Sequence, residues 1–148
     1  MKKISIAFLT VLAVDCALSL TRLECYKYTG IEQRSLKASY EHCAFNTYHE
    51  DRCNEKCVFN HQGATYDGVL TLQSFSDFIR PRLPPEICGI IEDVMAHGFH
   101  LTGSEALYPD SSCQDWNTMY RAWEFSLNHL ADYACKQFPS SRRRYWGK

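Results

Sequence analysis

Apolar and polar positions alternate with helical period along most of this chain. From Ile31 to Phe45, Leu36, Tyr40 and Cys43 recur at helical spacing with charged residues between them, which predicts a first helix. A second is predicted over Tyr48 to Asn60, with Cys53 and Cys57 four apart on one face and Gly63 beyond its end. Asp67-Gly68 reads as a turn. Thr71 or Ser74 then caps a short helix through Phe75, Phe78 and Ile79, which Pro81, Pro84 and Pro85 stop. The next helix is predicted from Glu86 to Ala96, ending at Gly98, with a loop from Phe99 to Ser112. The longest periodic segment follows, capped by Ser111 or Ser112, with Trp116, Met119, Tyr120, Trp123, Leu127, Leu130 and Ala134 in one stripe. Only Val69 to Leu72 alternates like a strand, and it is too short to seed a sheet. The expected fold is all-α, a compact bundle of five to six helices tied by disulfides.

The ends of the chain break this pattern. Lys2 and Lys3 precede the apolar run Ile4 to Val14 and the small residues Ala17 and Ser19, the layout of a secretory signal peptide cleaved after Ser19. The run is too short to span a bilayer, so residues 1–19 are expected to leave a secreted, extracellular product with no membrane insertion. One helical domain is expected over 20–139. The tail over 140–148 carries Arg142, Arg143 and Arg144 without apolar period and is expected to be solvated. With 148 residues and a net charge of −1, the chain has no excess charge to attract nucleic acid.

Of the eight cysteines, Cys16 belongs to the leader, and the seven others imply three bridges and one thiol. Cys53 and Cys57 point the same way out of one helix, so each must reach a different segment. Cys113 and Cys135 bracket the long helix, about 33 Å apart at ~1.5 Å per residue, and cannot pair. No catalytic constellation is present: the chain lacks a nucleophile elbow, a phosphate-cradling glycine loop and a zinc-binding His-Glu-x-x-His. His97 and His100 are the closest histidine pair, but a helix end at Gly98 would spoil their geometry as metal ligands. Neither a metal nor a cofactor is expected.

Aromatic and apolar helix faces are abundant instead. The long helix must turn Met119, Trp123 and Leu127 inward, because Asp115, Arg121 and Glu124 occupy its other face. Leu72, Phe75, Phe78 and Ile79 of the short helix, with Ile91, Val94 and Met95 of the next, are the natural walls opposite. Such a stripe serves equally well as plain core. A domain held by three bridges nevertheless tolerates a cavity that a cysteine-free bundle would collapse, so an apolar pocket is physically permitted.

Cys53-Asn54-Glu55-Lys56-Cys57-Val58-Phe59-Asn60, followed by Gly63, Asp67-Gly68-Val69-Leu70 and the helix through Phe78, resembles the insect odorant-binding proteins. Cys25, 28 positions before Cys53, is similar in spacing to that family's first cysteine. The second half departs from the family, with 21 residues between Cys113 and Cys135 and with Cys43 lacking a counterpart. The resemblance implies bridges Cys25–Cys57, Cys53–Cys113 and Cys88–Cys135, leaving Cys43 as a buried thiol. It also implies a non-enzymatic carrier enclosing a small hydrophobic ligand between its helices, with a membrane receptor as a further partner; a polar group such as Tyr120 or His129 is expected to orient such a ligand. The competing expectation is a secreted signalling or interaction module with a filled core and an exposed aromatic face.

Overall fold

The computed structural model describes residues 20–46 and 53–141. The expected leader, residues 47–52 with the start of the second predicted helix at Tyr48, and the tail from 142 onward lie outside the described residues. Between them runs an all-α fold: α1 (Arg22–Asn46), α2 (Asn54–Gln62), α3 (Leu72–Ile79), α4 (Pro85–Thr102) and α5 (Cys113–His129). A π-helical turn, Leu130–Ala134, carries α5 into a last short helix, α6 (Cys135–Gln137).

Helix α1 begins nine residues before the predicted start. Its buried stripe is Cys25, Thr29, Glu32, Leu36, Ser39 and Cys43, a helical repeat half of which is polar and therefore silent in a hydrophobicity pattern. Its start is nonetheless written in Thr21-x-x-Glu24. The Glu24 backbone N–H donates to Thr21 Oγ1 (3.2 Å) and the Thr21 N–H donates to Glu24 Oε2 (2.9 Å), the reciprocal pair that satisfies the free N–H groups of a first turn. The short helix α3 opens in the same manner, through Thr71 and Ser74.

Asp67 and Gly68 both adopt positive φ (50° and 78°), which folds Tyr66 and Val69 into mutual hydrogen bonds of 3.0 and 2.9 Å. The chain leaves this turn as β1 (Leu70–Thr71), which pairs antiparallel with β2 (Ala106–Leu107), Leu70 opposite Leu107. A two-stranded clasp thus ties the start of α3 to the loop beyond α4.

Gly98 does not end α4, which continues to Thr102 and stops at Gly103 in the left-handed conformation (φ 68°). Its place in the helix interior comes from packing: a Cβ at Gly98 would lie 3.0 Å from both Ala122 Cβ and Met119 Sδ. The missing side chain lets α4 and α5 cross closely, at the helix-propensity cost of about 1 kcal/mol that glycine carries. Ser112 caps α5, its Oγ accepting the Asp115 N–H at 3.2 Å.

The bridges are Cys25–Cys135, Cys43–Cys57 and Cys53–Cys113. Cys53 and Cys57 do reach different segments, and the Cys53–Cys113 bridge is the one the resemblance implies. The other two implied bridges are replaced because α1 is longer than expected. Cys25 and Cys43 occupy opposite ends of one rigid helix, about 27 Å apart at ~1.5 Å per residue, so a cysteine beside one end cannot reach the other. Cys57 lies beside the Cys43 end and Cys135 beside the Cys25 end. Cys43 is therefore bridged, and the buried thiol is Cys88. Its sulfur faces the carbonyls of Leu83 (3.4 Å) and Ile79 (3.7 Å), and burial, reinforced by Glu92, pushes it up to about 11.

One ion pair lies between α1 and the α3–α4 corner. Glu32, 3% exposed, accepts from Arg82 Nη2 at 2.9 Å, while the Arg82 guanidinium lies 4.4 Å from the centre of the Phe78 ring. Burial raises the Glu32 carboxyl above the usual range, and Arg82 opposes the rise without cancelling it.

Two outcomes follow from this arrangement. A raised carboxyl favours the folded state while protonated, and that contribution is lost as pH rises through the folded value. Thermal unfolding of Glu32→Gln and the parent chain should therefore give similar midpoints near pH 4, with the variant gaining relative stability towards pH 7; a gap of opposite sign contradicts the analysis. In the chain starting at Leu20, a thiol reagent at pH 8 should find almost no reactive sulfur until denaturant is added, and then one, mapped to Cys88.

Candidate functional site

Seven of the ten residues predicted to face a ligand are buried: Phe75, Ile79, Ile91, Met95, Met119, Trp123 and Leu127. Leu72, Phe78 and Val94 are half-buried. The helices do bring most of this set together. The Trp123 ring lies 5.1 Å from Phe75 and 5.7 Å from Phe78, centre to centre, both edge-on, and 5.4 Å from Phe59 of α2. Trp116 joins through Phe59 at 5.9 Å. The sequence reading missed Phe59 as a core member, although the apolar pair Val58-Phe59 beside Cys57 signals it.

Phe75, Ile79, Ile91, Met95 and Met119 have an exposure of 0%. A side chain bordering a space as wide as one water molecule would retain some accessible surface. These five are therefore in contact with other atoms on every side, as in a close-packed interior. Trp116 Nε1 and Trp123 Nε1 have no hydrogen-bond partner among the described residues, a penalty of about 1–3 kcal/mol each that the aromatic packing must outweigh.

Hollows of ligand size lie outside this cluster. One is an open groove of about 680 Å³ between α4 and α5. Gly98 and Ala122 form its floor. Val94 and Leu101 rise on one side, Phe125 on the other, with Asp93, His97, Asn117, Thr118 and Arg121 around them. Leu101 and Phe125 are 65% and 61% exposed, unusual for large apolar side chains facing each other across one recess. Thus Val94, assigned by sequence to an inner wall, belongs to an outer one. Continuing along α5, the ring of Phe125 stacks on His129 (6.2 Å) and His129 on Tyr133 (5.7 Å), a row of exposed rings running past the groove.

The second hollow is a cleft of about 520 Å³ between α1 and the opposite side of α5. Its apolar part is Leu36, Leu127 and the ring pair Tyr40–Tyr120, centres 5.3 Å apart. Glu41, Glu55 and Glu124 surround it with Lys37, Arg121 and amides. Tyr120 thus sits at the edge of the core, where it borders this cleft, and His129 belongs to the exposed ring row.

Groups suited to metal binding are scarce. His97 and His100 both lie on α4, ring centres 6.4 Å apart, without a third ligand. The one convergent set among the described residues is Cys53, Glu55 and Cys113, whose sulfurs are spent on each other in a disulfide. No family model matches the chain, and no curated protein or solved structure matches it either.

Because Trp123 is buried and ringed by three phenylalanines, Trp123→Ala should cost about 3–5 kcal/mol of unfolding free energy, the range for an aromatic removed from a packed interior. Chemical denaturation measures this directly. A loss under about 1 kcal/mol would mean that the cluster tolerates a void and is not the packed core described above.

Proposed function

We propose that this protein is an extracellular, non-enzymatic binder of small apolar molecules, which it holds in the groove between α4 and α5 rather than inside the bundle. The supporting observation is the groove itself: about 680 Å³, floored by Gly98 and Ala122, walled by exposed Leu101 and Phe125 and edged by polar groups. That volume is in the range of small-molecule sites, and the mixture of apolar walls with few polar groups is their usual chemistry. Three disulfides belong with an oxidising compartment, as does the leader-like start of the sequence. Among the described residues no helix is long and apolar enough to cross a membrane. The likeness to odorant-binding proteins supports a carrier role in general terms, although two of its three implied bridges are replaced here.

The interaction-module reading draws on a different observation, the ring row Phe125, His129 and Tyr133. It extends the apolar face beyond what a small molecule would cover and suits a protein partner such as a receptor.

An apolar fluorescent amine, N-phenyl-1-naphthylamine, separates the two. For the groove as a ligand site, the dye should bind saturably and be displaced by straight-chain alcohols, each added methylene tightening displacement by about fourfold, from ~0.8 kcal/mol per CH₂. Leu101→Asp and Phe125→Asp, both at exposed positions, should abolish binding while leaving the unfolding midpoint nearly unchanged. Failure of the dye to bind, or indifference to both substitutions, would remove the small-ligand reading and leave the protein interface.

A further inference from the structure

We propose that the cleft between α1 and α5 is a second binding site, specific for a small organic cation: a primary ammonium group joined to a compact apolar or aromatic body. The cleft and the groove lie on different sides of α5, with Arg121 bordering both, so the two sites stand or fall separately.

Tyr120 carries much of the argument. It is only 8% exposed, yet its hydroxyl has no hydrogen-bond partner among the described residues, and it lines the cleft. The ring is buried while the hydroxyl at its tip is not among the buried unpartnered atoms, so the hydroxyl is within reach of solvent. The space it borders, about 520 Å³, is enough for a small molecule.

The chemistry around that hydroxyl selects the ligand's charge. Carboxylates arrive from three helices: Glu41 from α1, Glu55 from α2 and Glu124 from α5. Lys37 meets Glu41 at 3.9 Å and Arg121 meets Glu124 at 2.8 Å, which accounts for both cations of the cleft. Glu55 remains, with no cation within ion-pair distance among the described residues. Its carboxylate lies 3.8 and 3.7 Å from the sulfurs of the Cys53–Cys113 bridge, which have no proton to give. The described residues that line the cleft thus carry one net negative charge. Consistent with this, burial together with Glu124, Tyr40 and Glu55 pushes the Tyr120 phenol up to about 12, with Arg121 opposing. An anion would be repelled here, and a neutral molecule would leave Glu55 unanswered.

The remaining walls select the ligand's body. The faces of Tyr40 and Tyr120 attract a cation through their ring quadrupoles, and Leu36 and Leu127 offer apolar contact beside them. An ammonium brings three N–H donors, for which the Tyr120 hydroxyl and the Glu55 and Glu124 carboxylates are acceptors.

The test uses titration calorimetry on the disulfide-bonded protein at pH 7 with three probes of one shape: 2-phenylethylamine, 2-phenylethanol and phenylacetate. The amine is expected to bind about tenfold or more tighter than the alcohol, the increment of a charge-assisted hydrogen bond, and phenylacetate to give no heat. Glu55→Gln and Glu124→Gln should each weaken the amine about tenfold and leave the alcohol unchanged. Tyr120→Phe, which removes one oxygen from an otherwise intact wall, should weaken it about threefold or more. Equal binding of amine and alcohol, absence of amine binding at millimolar concentration, or unchanged affinity in all three variants would overturn the site. So would displacement of the naphthylamine dye by phenylethylamine, since that would place the amine in the groove. Each variant's retained dye binding, or its unfolding midpoint if the groove proves empty, shows that the bundle itself is intact.

Discussion

Helix α1 is a rigid strut bolted at both ends, and the rest of the molecule is arranged by where those bolts are. Cys25 near its start is joined to Cys135 across 110 residues of sequence, and Cys43 near its finish is joined to Cys57 across 14. Closing a loop as long as the first restricts the unfolded chain by an amount equivalent to about 4–5 kcal/mol in the chain-entropy picture. The C-terminal segment consequently lies along the first turns of α1, where the Arg22 N–H donates to the Pro139 carbonyl at 2.8 Å and the Arg22 guanidinium to that of Lys136 at 2.9 Å. Cys53–Cys113 then fixes the start of α2 against the start of α5. With these three points set, α5 can only lie across α1 and α2 with its tryptophans inward.

Much of this was legible in residue order and some was not, for definite reasons. The stripe of α5, the Thr71 cap, the Asp67-Gly68 turn and the separate destinations of Cys53 and Cys57 all follow from local rules that tertiary contacts did not override. The first turns of α1 were invisible because the buried positions there are only Cys25 and Thr29, with no apolar repeat, and the stripe runs on through Glu32 and Ser39, polar residues whose partners, like that of Thr29, sequence cannot name: Arg82, His61 and the Cys25 carbonyl. Gly98 was misread for the converse reason. A glycine that ends a helix and a glycine that admits a neighbouring helix look identical in sequence, and only Ala122 and Met119 across the interface tell them apart.

The same distinction governs the candidate sites. Apolar periodicity reports which faces of helices leave water, and it identified seven buried residues of α3, α4 and α5 correctly as a set. It carries no information on whether the space between them is filled. Phe59, from a helix whose apolar content is small, packs into it against Phe75, Trp116 and Trp123. The hollows arise where helix pairs diverge at their outer edges, and there the lining mixes glycine, alanine, amides and charges that a hydrophobic pattern classes as solvent-facing.

The π-helical turn at Leu130–Ala134 gives the molecule a property of register. A π turn is an α-helix that has absorbed one additional residue, so the azimuth of everything beyond it is displaced by about 100° relative to an uninterrupted helix. Trp123 and Leu127 upstream and Cys135 downstream belong to two phases of one continuous rod, the first aimed at the aromatic core and the second at Cys25. Were this turn to relax to α geometry with every residue kept, the rod would become regular and the cysteine would swing off the strut's face. The chain therefore behaves like a screw with one deliberately miscut thread, and the closure of its longest loop depends on that offset.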